Sequence, residues 1–502
     1  MNHSSFPWLE LLVLVPLVGA IISAGATGLS ALVRERVGQA AALITLGLSI
    51  AVIIGFAAHD GGYQFVHHTS WISSMGISWF LGVDGISLFL VGLTALIVPI
   101  VLYGAMPAER RPAFTAWVLL LEAASIGAFI SLDLLLFFLF FELTLLPSYF
   151  LIVGWGGKER SRAAVKFFLY TFFGSAFLLV AIVSLAVLHE HQTGVLTFAF
   201  PELLKTHLSS TTELLLFLGF LSAFAVKSPL FPFHTWSPAT YREAPTGASI
   251  LLAAILAKLG TYGFLRFCIT PFPHATHSMT PIMLTIAVIG ILYGAGVAAV
   301  QRDLKQLVAY SSLSQVGFIA LGAFALSTQG LSGAVLLMFN HGIITAALFL
   351  LIGMIAARRG SWDITQLRGL QGPAPIMAAA FTLVMLASIG LPGLSGFVSE
   401  FLVLLGTFAT HPWWAAVASL GVVVAALYLL WAYQRVFHGK AEGANAQIVD
   451  LSMRERLVLV PLIALIVVLG IFPNLLLDRI NPSVQKIVDH SAQVVSSSGA
   501  QR

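Results

Sequence analysis

Fourteen apolar segments, each long enough to cross the core of a membrane as a helix, follow one another along this chain. About 20 helical residues cross such a core, because an α-helix rises 1.5 Å per residue. The segments are predicted at residues 8–28, 37–58, 83–104, 113–131, 134–155, 165–187, 212–233, 246–268, 280–300, 305–326, 331–356, 375–408, 413–436 and 455–473. Hydrophobic residues make up 58% and charged residues 9% of the 502 residues, which leaves no room for a soluble catalytic domain. The sequence therefore predicts an all-α polytopic membrane protein.

One connection between these segments is long enough to hold structure of its own. Residues 59–82 separate the second and third segments and carry Trp71 and Trp79, a residue type enriched at membrane interfaces. Apolar and polar residues alternate weakly from Tyr63 to His67, as they do in a half-buried β-strand. This stretch predicts a short hairpin at the membrane interface.

The lysines and arginines are distributed unevenly between the two sets of loops. Seventeen of the twenty-five lie in loops that follow odd-numbered segments, five lie on the opposite side, and three lie inside segments. Because cytoplasmic loops are enriched in basic residues, the odd-numbered loops are predicted in the cytoplasm and both termini on the periplasmic side of the cell inner (plasma) membrane. Membrane topology thus accounts for the basic residues, and we expect a lipid bilayer rather than nucleic acid as the partner.

Two lysines, Lys227 and Lys258, lie inside apolar segments. A lysine at the centre of a membrane helix costs about 2.5 to 3.5 kcal/mol on insertion scales, so it usually faces a bundle interior or a wet cavity and has a function there. Pro229 and Pro232 follow Lys227 and remove backbone donors, so the seventh helix is predicted to break just past this lysine. Broken helices beside buried charge are typical of ion sites in transporters.

Acidic residues and a histidine also lie within apolar segments. Glu142 and Glu122 lie in the fifth and fourth segments, and His341 lies in the eleventh. Glu400 follows a run of glycines and a proline, residues 390–396, which predicts a second helix break in the twelfth segment. Buried carboxylates and lysines can also form ion pairs that serve packing alone, although such pairs stabilise proteins poorly compared with apolar side chains.

The two predicted breaks suggest an internal repeat. They lie in the seventh and twelfth segments, which are five segments apart. Successive segments cross the membrane in opposite directions, so two segments separated by an odd number have opposite orientations. Segments 4 to 8 and 9 to 13 therefore predict two inverted five-helix repeats, each with one broken helix. The corresponding regions are residues 1–112 with three helices, 113–270 with the first repeat, 271–440 with the second repeat, and 441–502 with the fourteenth helix and a polar C-terminal tail.

Cysteine usage limits the redox chemistry of the chain. Cys268 is its one cysteine, which excludes an internal disulfide, a cysteine-ligated iron–sulfur cluster and a CxxC redox pair. We expect no cofactor, no metal site and no redox reaction in this chain itself.

Several long motifs resemble a known family. They include FFELTLLPSYFLIVGWGG at 140–157, EAPTGASILLAAILAKLGTYGFLRF at 243–267, DLKQLVAYSSLSQVGF at 303–318 and LPGLSGFVSEFLVLLGTF at 391–408. These stretches are similar to the chain M family of bacterial NADH:quinone oxidoreductase, the respiratory complex I, over about residues 80–440. The resemblance implies fourteen helices with two inverted five-helix repeats and proton translocation driven by quinone reduction elsewhere in the complex. It also implies that NADH, flavin, iron–sulfur clusters and quinone bind to partner subunits, and that neighbouring antiporter-like chains of the membrane arm are the partners.

The resemblance also implies roles for single residues. Glu142 and Lys227 correspond to the family's paired glutamate and lysine, and Lys258 to its central lysine. His341 corresponds to a histidine of the central polar axis, and Glu400 to the glutamate on the exit side. Together these residues predict a proton path of buried glutamate, lysine and histidine side chains.

Two positions depart from the family pattern, and further candidates are weaker. Ser237 to Tyr241 replace the family's Leu-Pro-Asp-Ala-His, and Gln315 stands where a histidine often lies. Glutamine cannot carry a proton as imidazole does, but it can hydrogen-bond to a relaying water.

His234, beside the first break, is predicted either to cap the helix or to take up protons. Glu122 is a weaker candidate because its position is not generally acidic in the family.

Other functions remain open at this stage. A subunit of a multisubunit sodium/proton antiporter or of a membrane-bound hydrogenase would share most of the motifs. A non-pumping structural subunit of the membrane arm is the alternative without transport. A stand-alone secondary transporter is disfavoured, because no separate set of polar groups for a substrate is visible.

Overall fold

Helices make up most of this computed structural model, which describes residues 6–499. The predicted positions of the two chain ends fall outside the described residues. Within the described range, eleven helices are long and apolar enough to cross a membrane, or twelve if the bent pair Met453–Ile471 and Asn474–Val494 counts as one span. Three shorter apolar helices, Leu88–Gly104, Pro375–Ile389 and Ser395–Thr410, accompany them. The predicted class, an α-helical polytopic membrane protein, is confirmed.

Twenty α-helices and two π-helical segments form this bundle between residues 6 and 499. They are α1 Trp8–Gly25, α2 Ala31–Gly55, α3 Leu88–Gly104, α4 Arg111–Ile130, α5 Leu134–Leu143, α6 Leu145–Trp155, α7 Arg160–Thr193, α8 Phe200–Leu203, α9 Ser210–Lys227, α10 Ser237–Glu243, α11 Thr246–Leu251, a π-helix Leu252–Leu256, α12 Ala257–Gly263, a π-helix Phe264–Ile269, α13 Pro273–Ala299, α14 Leu304–Phe324, α15 Thr328–Arg359, α16 Pro375–Ile389, α17 Ser395–Thr410, α18 Pro412–Phe437, α19 Met453–Ile471 and α20 Asn474–Gly499. Each apolar segment predicted from the sequence overlaps one of these helices or a consecutive set.

Both predicted helix breaks are present. Helix α9 ends at Lys227, and α10 begins ten residues later at Ser237. Helices α16 and α17 are separated by residues 390–394, where Gly390 has a φ of 82° that favours glycine.

Two interruptions were not predicted from the sequence. The fifth segment is divided at Thr144, because Pro147 has no N–H for the carbonyl of Leu143 and the Thr144 hydroxyl bonds back to Phe141 O at 2.7 Å. The eighth segment contains two π-helical stretches, Leu252–Leu256 and Phe264–Ile269, one on either side of Lys258. Such π segments are frequent at functional sites.

The predicted hairpin is confirmed, and its strands are longer than the alternating stretch in the sequence. Strand β1, Gln64–Ile72, pairs antiparallel with β2, Ile77–Val83, so the third helix begins only at Leu88. Asp133 attaches the hairpin to the bundle, since its Oδ2 accepts hydrogen bonds from the backbone N–H of Ser78 at 2.9 Å and from its hydroxyl at 2.8 Å. The other oxygen, Oδ1, caps the N-terminus of α5.

The loops meet at two separate ends of the bundle. At one end, here called the basic end, Gly157 N–H donates to Glu243 O at 2.8 Å, and Arg358 pairs with Glu455 at 2.7 Å. At the other, here called the hairpin end, Gly85 N–H donates to the Ser483 hydroxyl at 2.9 Å. These contacts join loops that the sequence places on the same side of the membrane, which is the arrangement that alternating crossings require.

The polar segment after the last predicted apolar segment is the helix α20. It bends by 69° from α19 and packs against α15 and α13 at the hairpin end. Its polar side chains contact the neighbouring loops: Gln485 accepts from the Thr328 hydroxyl at 2.9 Å, and Lys486 lies 3.6 Å from Asp60. The four-region division of the chain remains a prediction.

Candidate functional site

Lys227 lies at the C-terminal end of α9, where the helix breaks. Its side chain is buried, and its Nζ donates to the hydroxyl of Thr144 at 2.8 Å. The ammonium also lies 4.6 Å from the centre of the Phe141 ring, within the range of a cation–π contact. The unpredicted interruption between α5 and α6 therefore supplies two of the groups around this lysine.

Glu142 lies on α5, two residues before Thr144. It interacts electrostatically with Lys227, but the ion pairs within 4.0 Å in residues 6–499 do not include these two side chains. The Oε1 atom of Glu142 is buried and has no hydrogen-bond partner among the residues that the structure describes. The predicted glutamate and lysine are thus neighbours, and the hydroxyl of Thr144, rather than the carboxylate, accepts the hydrogen bond of the ammonium.

Lys258 lies in α12 between the two π-helical segments, and its side chain is buried. Its Nζ donates to the carbonyl of Ala253, five residues earlier in a π segment, at 2.8 Å. It also lies 2.7 Å from Nδ1 of His341 on α15. When Lys258 is charged, Nδ1 must accept this hydrogen bond, so the imidazole is then neutral with its proton on Nε2.

The helix of Lys258 packs closely against the helix of Lys227. A Cβ atom added to Gly260 would lie 2.5 Å from the backbone N of Ser228, so no larger residue fits there without displacement. This contact brings the two lysine-bearing helices together at the first break.

Glu400 lies near the start of α17, past the second helix break. Its Oε1 accepts a hydrogen bond from Nε2 of Gln315 on α14 at 2.8 Å. Its Oε2 faces the break, because a Cβ added to Gly390 would lie 2.7 Å from this oxygen. The predicted departure at Gln315 is therefore a direct partner of the predicted exit glutamate.

Asn340 connects the helices of His341 and Glu400. Its Nδ2 donates to Ser395 O at 2.8 Å and lies 3.4 Å from the Ser399 hydroxyl, one residue before Glu400. The four residues Lys258, His341, Asn340 and Glu400, on α12, α15 and α17, are here called the polar line. The contacts seen within it are that of Lys258 with His341 and that of Asn340 with the helix of Glu400. Asn340 directly precedes His341 in the sequence, which by itself gives no sign that its side chain reaches α17.

Three polar atoms along this line are buried without a partner in the described part of the chain: Oδ1 of Asn340, Oε1 of Gln315 and the Ser395 hydroxyl. Buried polar atoms in proteins nearly always have a partner, and ordered water is the usual one between side chains that do not touch. Side chains of this kind suit a hydrated path.

The remaining candidates lie away from this line. His234 is buried beside the first break, and its ring centre lies 5.6 Å from that of Phe231 and 5.0 Å from that of Tyr293. Its Nδ1 has no hydrogen-bond partner within the described range of the chain. Glu122 is fully buried in α4, and neither of its carboxylate oxygens has a hydrogen-bond partner among residues 6–499. Their predicted roles remain predictions.

A cavity of about 490 Å³ opens at the basic end, and sequence reasoning did not find it. Its lining includes Glu243, Lys305, Thr246 at the start of α11, and Gly353 on α15. Thr246 is twelve residues before Lys258, and Gly353 is twelve residues after His341. At 1.5 Å per residue, each distance is about 18 Å along its helix. The cavity thus lies at the ends of the two helices that carry the lysine and histidine pair.

Known proteins are similar to this chain over most of its length. The family model described as NADH:quinone oxidoreductase/Mrp antiporter, TM, matches residues 131–426. The chain is 41% identical to NADH-quinone oxidoreductase subunit M of Mycobacterium tuberculosis (strain CDC 1551 / Oshkosh), over 96% of this chain and 94% of the relative. It is 40% identical to subunit M of Rhodobacter capsulatus, over 96% of both chains.

The chain belongs to the NADH-quinone oxidoreductase subunit M family. Its fold is similar to that of a chain in the structure of respiratory complex I from Thermus thermophilus with bound NADH, with a TM-score of 0.88 and 33% identity. That match covers 96% of this chain and 99% of the other. The resemblance to the subunit M family that the motifs indicated is confirmed.

The second departure from the subunit M pattern also has a place in the structure. Ser237 to Tyr241 form most of α10, and the Tyr241 hydroxyl is buried without a hydrogen-bond partner in the described residues. Gln306 and Lys305, on α14, donate to Pro238 O at 2.8 Å and to Arg242 O at 3.1 Å. Backbone carbonyls of α10, which do not depend on side-chain identity, therefore attach it to the second half of the chain.

Proposed function

We propose that this chain is a proton-translocating subunit of the membrane arm of NADH:quinone oxidoreductase. The observation that carries the proposal is the 2.7 Å contact between Nζ of Lys258 and Nδ1 of His341, both buried in the bundle. Two titratable side chains are in direct contact there, on helices of two different predicted repeats. Membership of the subunit M family supports the same function.

The finer topology belongs to this proposal. The eleven long helices, together with α3, the broken pair α16 and α17, and α19, correspond to fourteen crossings. We place α4 to α12 in one five-helix repeat and α13 to α18 in its inverted counterpart, with the breaks after Lys227 and at Gly390 in equivalent positions. The basic end faces the cytoplasm, because it holds most lysines and arginines, and the hairpin end faces the periplasm of an inner membrane.

Protons enter from the cavity at the basic end and load Lys258. The ammonium passes a proton to Nδ1 of His341, with which it is already hydrogen-bonded. From the imidazole, water held by Asn340 and Gln315 carries the proton to Glu400, which releases it toward the hairpin end. Each transfer joins a donor to an acceptor, so no redox step is required in this chain.

The neighbouring subunit acts on this path through Glu142 and Lys227. The ammonium of Lys227 is hydrogen-bonded to a neutral hydroxyl and is not in contact with the Glu142 carboxylate, so the distance between the two charges can change. A change of charge at Glu142 alters the electrostatic field at Lys227 and, through the close packing of α9 and α12, at Lys258. Moving one proton against the membrane potential requires about 2.3 kcal/mol per 100 mV.

The oxidation of NADH takes place in other subunits. Flavin, iron–sulfur clusters and quinone bind to those subunits in this proposal, and the direct partners of this chain are the neighbouring antiporter-like chains and the lipid bilayer.

Lys258→Ala tests the proposal against a non-pumping structural role. Proton uptake into vesicles is measured per NADH oxidised, with assembly of the complex checked on a native gel. We expect fewer protons per NADH in a fully assembled complex, whereas Lys205→Ala, at an exposed lysine paired with Glu202, leaves the ratio unchanged. An unchanged ratio in assembled Lys258→Ala complex would make the chain a spacer. Repeating the assay with and without sodium separates proton from sodium transport.

A further inference from the structure

A second buried polar cluster lies at the hairpin end of the helix that carries Lys258. Arg266, in the π-helical segment after α12, is 4% exposed and pairs through Nη2 with the carboxylate of Asp84. Its Nη1 donates to the hydroxyl of Tyr63 at 3.0 Å, and its Nε lies 3.4 Å from the hydroxyl of Tyr262. The Tyr262 hydroxyl in turn donates to the carbonyl of Phe129 at 3.2 Å. The proposed proton path from Lys258 to Glu400 does not use any of these groups.

Two residues of the cluster lie on the same helical segment as Lys258, between this lysine and the hairpin end. Tyr262 and Arg266 follow Lys258 by four and eight residues on one continuous helical segment. These separations correspond to about 6 and 12 Å along the helix. Lys258, Tyr262 and Arg266 are all buried. A proton that left Lys258 directly toward the hairpin end would meet Tyr262 and then Arg266.

The chemistry of these groups opposes such a transfer. A guanidinium group keeps its proton at any physiological pH and has no acceptor atom, so it cannot relay protons. Its fixed positive charge in a low-dielectric interior repels a hydronium ion or a second cation, as an arginine does in channels that exclude protons. The Tyr262 hydroxyl directs its hydrogen at a backbone carbonyl, which cannot pass a proton onward.

Asp84 holds the arginine in place and is itself fully engaged. Its Oδ1 accepts hydrogen bonds from the backbone N–H groups of Ile86 and Ser87, each at 3.1 Å, and lies 3.3 Å from the Ser87 hydroxyl. Its Oδ2 receives the guanidinium of Arg266. Both oxygens of Asp84 therefore already accept hydrogen bonds from fixed donors, and these contacts hold the carboxylate beside the guanidinium.

We propose that Arg266, held by Asp84, is an electrostatic barrier that closes the direct route from Lys258 to the hairpin-end surface. Protons on Lys258 can then leave only sideways, to His341. The proposal rests on the proposed function in so far as Lys258 carries protons. It assigns to Arg266 the role of preventing a leak that would dissipate the membrane potential.

The test measures passive proton leak, which does not depend on turnover. The assembled complex is placed in proteoliposomes, a pH gradient is imposed without NADH, and a pH-sensitive dye reports its decay. We expect Arg266→Gln to raise the leak rate severalfold and to lower the protons gained per NADH, with the rate of NADH oxidation in uncoupled vesicles retained. Arg266→Lys keeps a positive charge, so its vesicles are expected to remain nearly as tight as those with the unaltered complex.

The variant Asp84→Asn distinguishes an electrostatic barrier from an ion pair that only holds the structure together. It breaks the ion pair but leaves the positive charge of Arg266, so a barrier predicts tight vesicles. If the ion pair only holds the structure together, Asp84→Asn and Arg266→Gln should impair assembly, or make the vesicles leak, to the same degree. That result would overturn the proposal. If Arg266→Gln alone does not assemble, the double variant Arg266→Gln with Asp84→Asn removes both buried charges, and a tight double variant would also overturn the proposal.

One further variant tests whether the leak passes through Lys258, and another serves as a control. Adding Lys258→Ala to Arg266→Gln should restore a tight membrane, because the leak passes through Lys258, and a persistent leak would contradict the route. Arg358→Gln breaks the pair with Glu455 at the basic end, where the side chains are 18% and 20% exposed, and should not cause a leak. A leak in Arg266→Gln together with normal pumping in Lys258→Ala would support the barrier while contradicting the proposed pumping function.

Discussion

The Nζ atom of Lys258 lies 2.7 Å from Nδ1 of His341, although the two residues are 83 positions apart in the chain. One is on the helix that ends the first predicted repeat, and the other is on a helix of the second. A hydrogen bond between two buried titratable side chains therefore connects helices of the two predicted repeats.

The cavity at the basic end is predicted to admit protons. Ala357 lines it near the surface, so Ala357→Trp should narrow it and slow proton uptake at a given rate of NADH oxidation. The initial rate of vesicle acidification measures the effect. Ala416→Trp, at an exposed position of α18, is the matched control and should leave the rate unchanged. Equal rates in both variants would show that protons enter elsewhere.

Replacing His341 should interrupt transfer from Lys258. His341→Ala removes the acceptor of the Lys258 ammonium and leaves a buried charge with the Ala253 carbonyl as its remaining partner. We expect a large loss of protons pumped per NADH in an assembled complex. His341→Gln can accept the same hydrogen bond but cannot carry a proton, so it should assemble better than His341→Ala and pump no more. Full pumping by His341→Gln would mean that the imidazole is structural.

Lys227 and Thr144 should respond differently to substitution. Lys227→Ala removes the charge and should abolish coupling while assembly survives. Lys227→Arg keeps the charge but cannot release a proton, so it should restore only part of the pumping. Thr144→Val removes the hydroxyl that accepts the 2.8 Å hydrogen bond, and the ammonium should then move toward Glu142 and weaken the response to the neighbouring subunit. Protons pumped per NADH are measured for all three, and unchanged ratios would make the pair structural.

Gln315 is predicted to support Glu400 through its 2.8 Å hydrogen bond. Gln315→Leu removes the donor and should reduce proton release, because the carboxylate then lacks its side-chain partner. Gln315→His introduces the residue that often lies here in the family and should keep pumping at or above the original level. The two variants have similar volumes, so a difference in protons per NADH reports the polar character of the side chain and not its size. If both pump equally, Gln315 is not part of the path.

Asp133 is predicted to act on stability and not on transport. Asp133→Ala removes the cap of α5 and both hydrogen bonds to Ser78. Loss of an N-cap costs about 0.5–2 kcal/mol, and a hydrogen bond to a charged group contributes about 1.5–3 kcal/mol. The yield of assembled complex and its thermal stability should fall, while protons per NADH in the surviving complex stay constant. Ser30→Ala, an exposed cap of α2, should have a small effect on either measurement.

The sequence by itself determined the long apolar helices of this protein and two of the points where they break, after Lys227 and at Gly390. Lipid offers no hydrogen bonds to the backbone, so each long apolar segment has to form a helix. The length of an apolar segment is therefore enough to predict a membrane-spanning helix. Pro229 and Pro232 remove backbone donors, and residues 390–396 contain glycines, so both breaks follow from local chemistry. The cost of burying a lysine or a carboxylate likewise marked Lys227, Lys258, Glu142 and Glu400 without any knowledge of their neighbours.

The tertiary structure alone decided which of these side chains meet. Side chains on different helices come together through helix packing, which depends on small contacts such as Gly260 against Ser228 and cannot be read from any one segment. The pairing of Gln315 with Glu400, the hydroxyl of Thr144 beside Lys227 and the cluster of Arg266 with Asp84 all join residues more than 80 positions apart. The π-helical winding around Lys258 is also a tertiary result, because a π segment differs from an α-helix by hydrogen bonds that packing selects and not by residue composition.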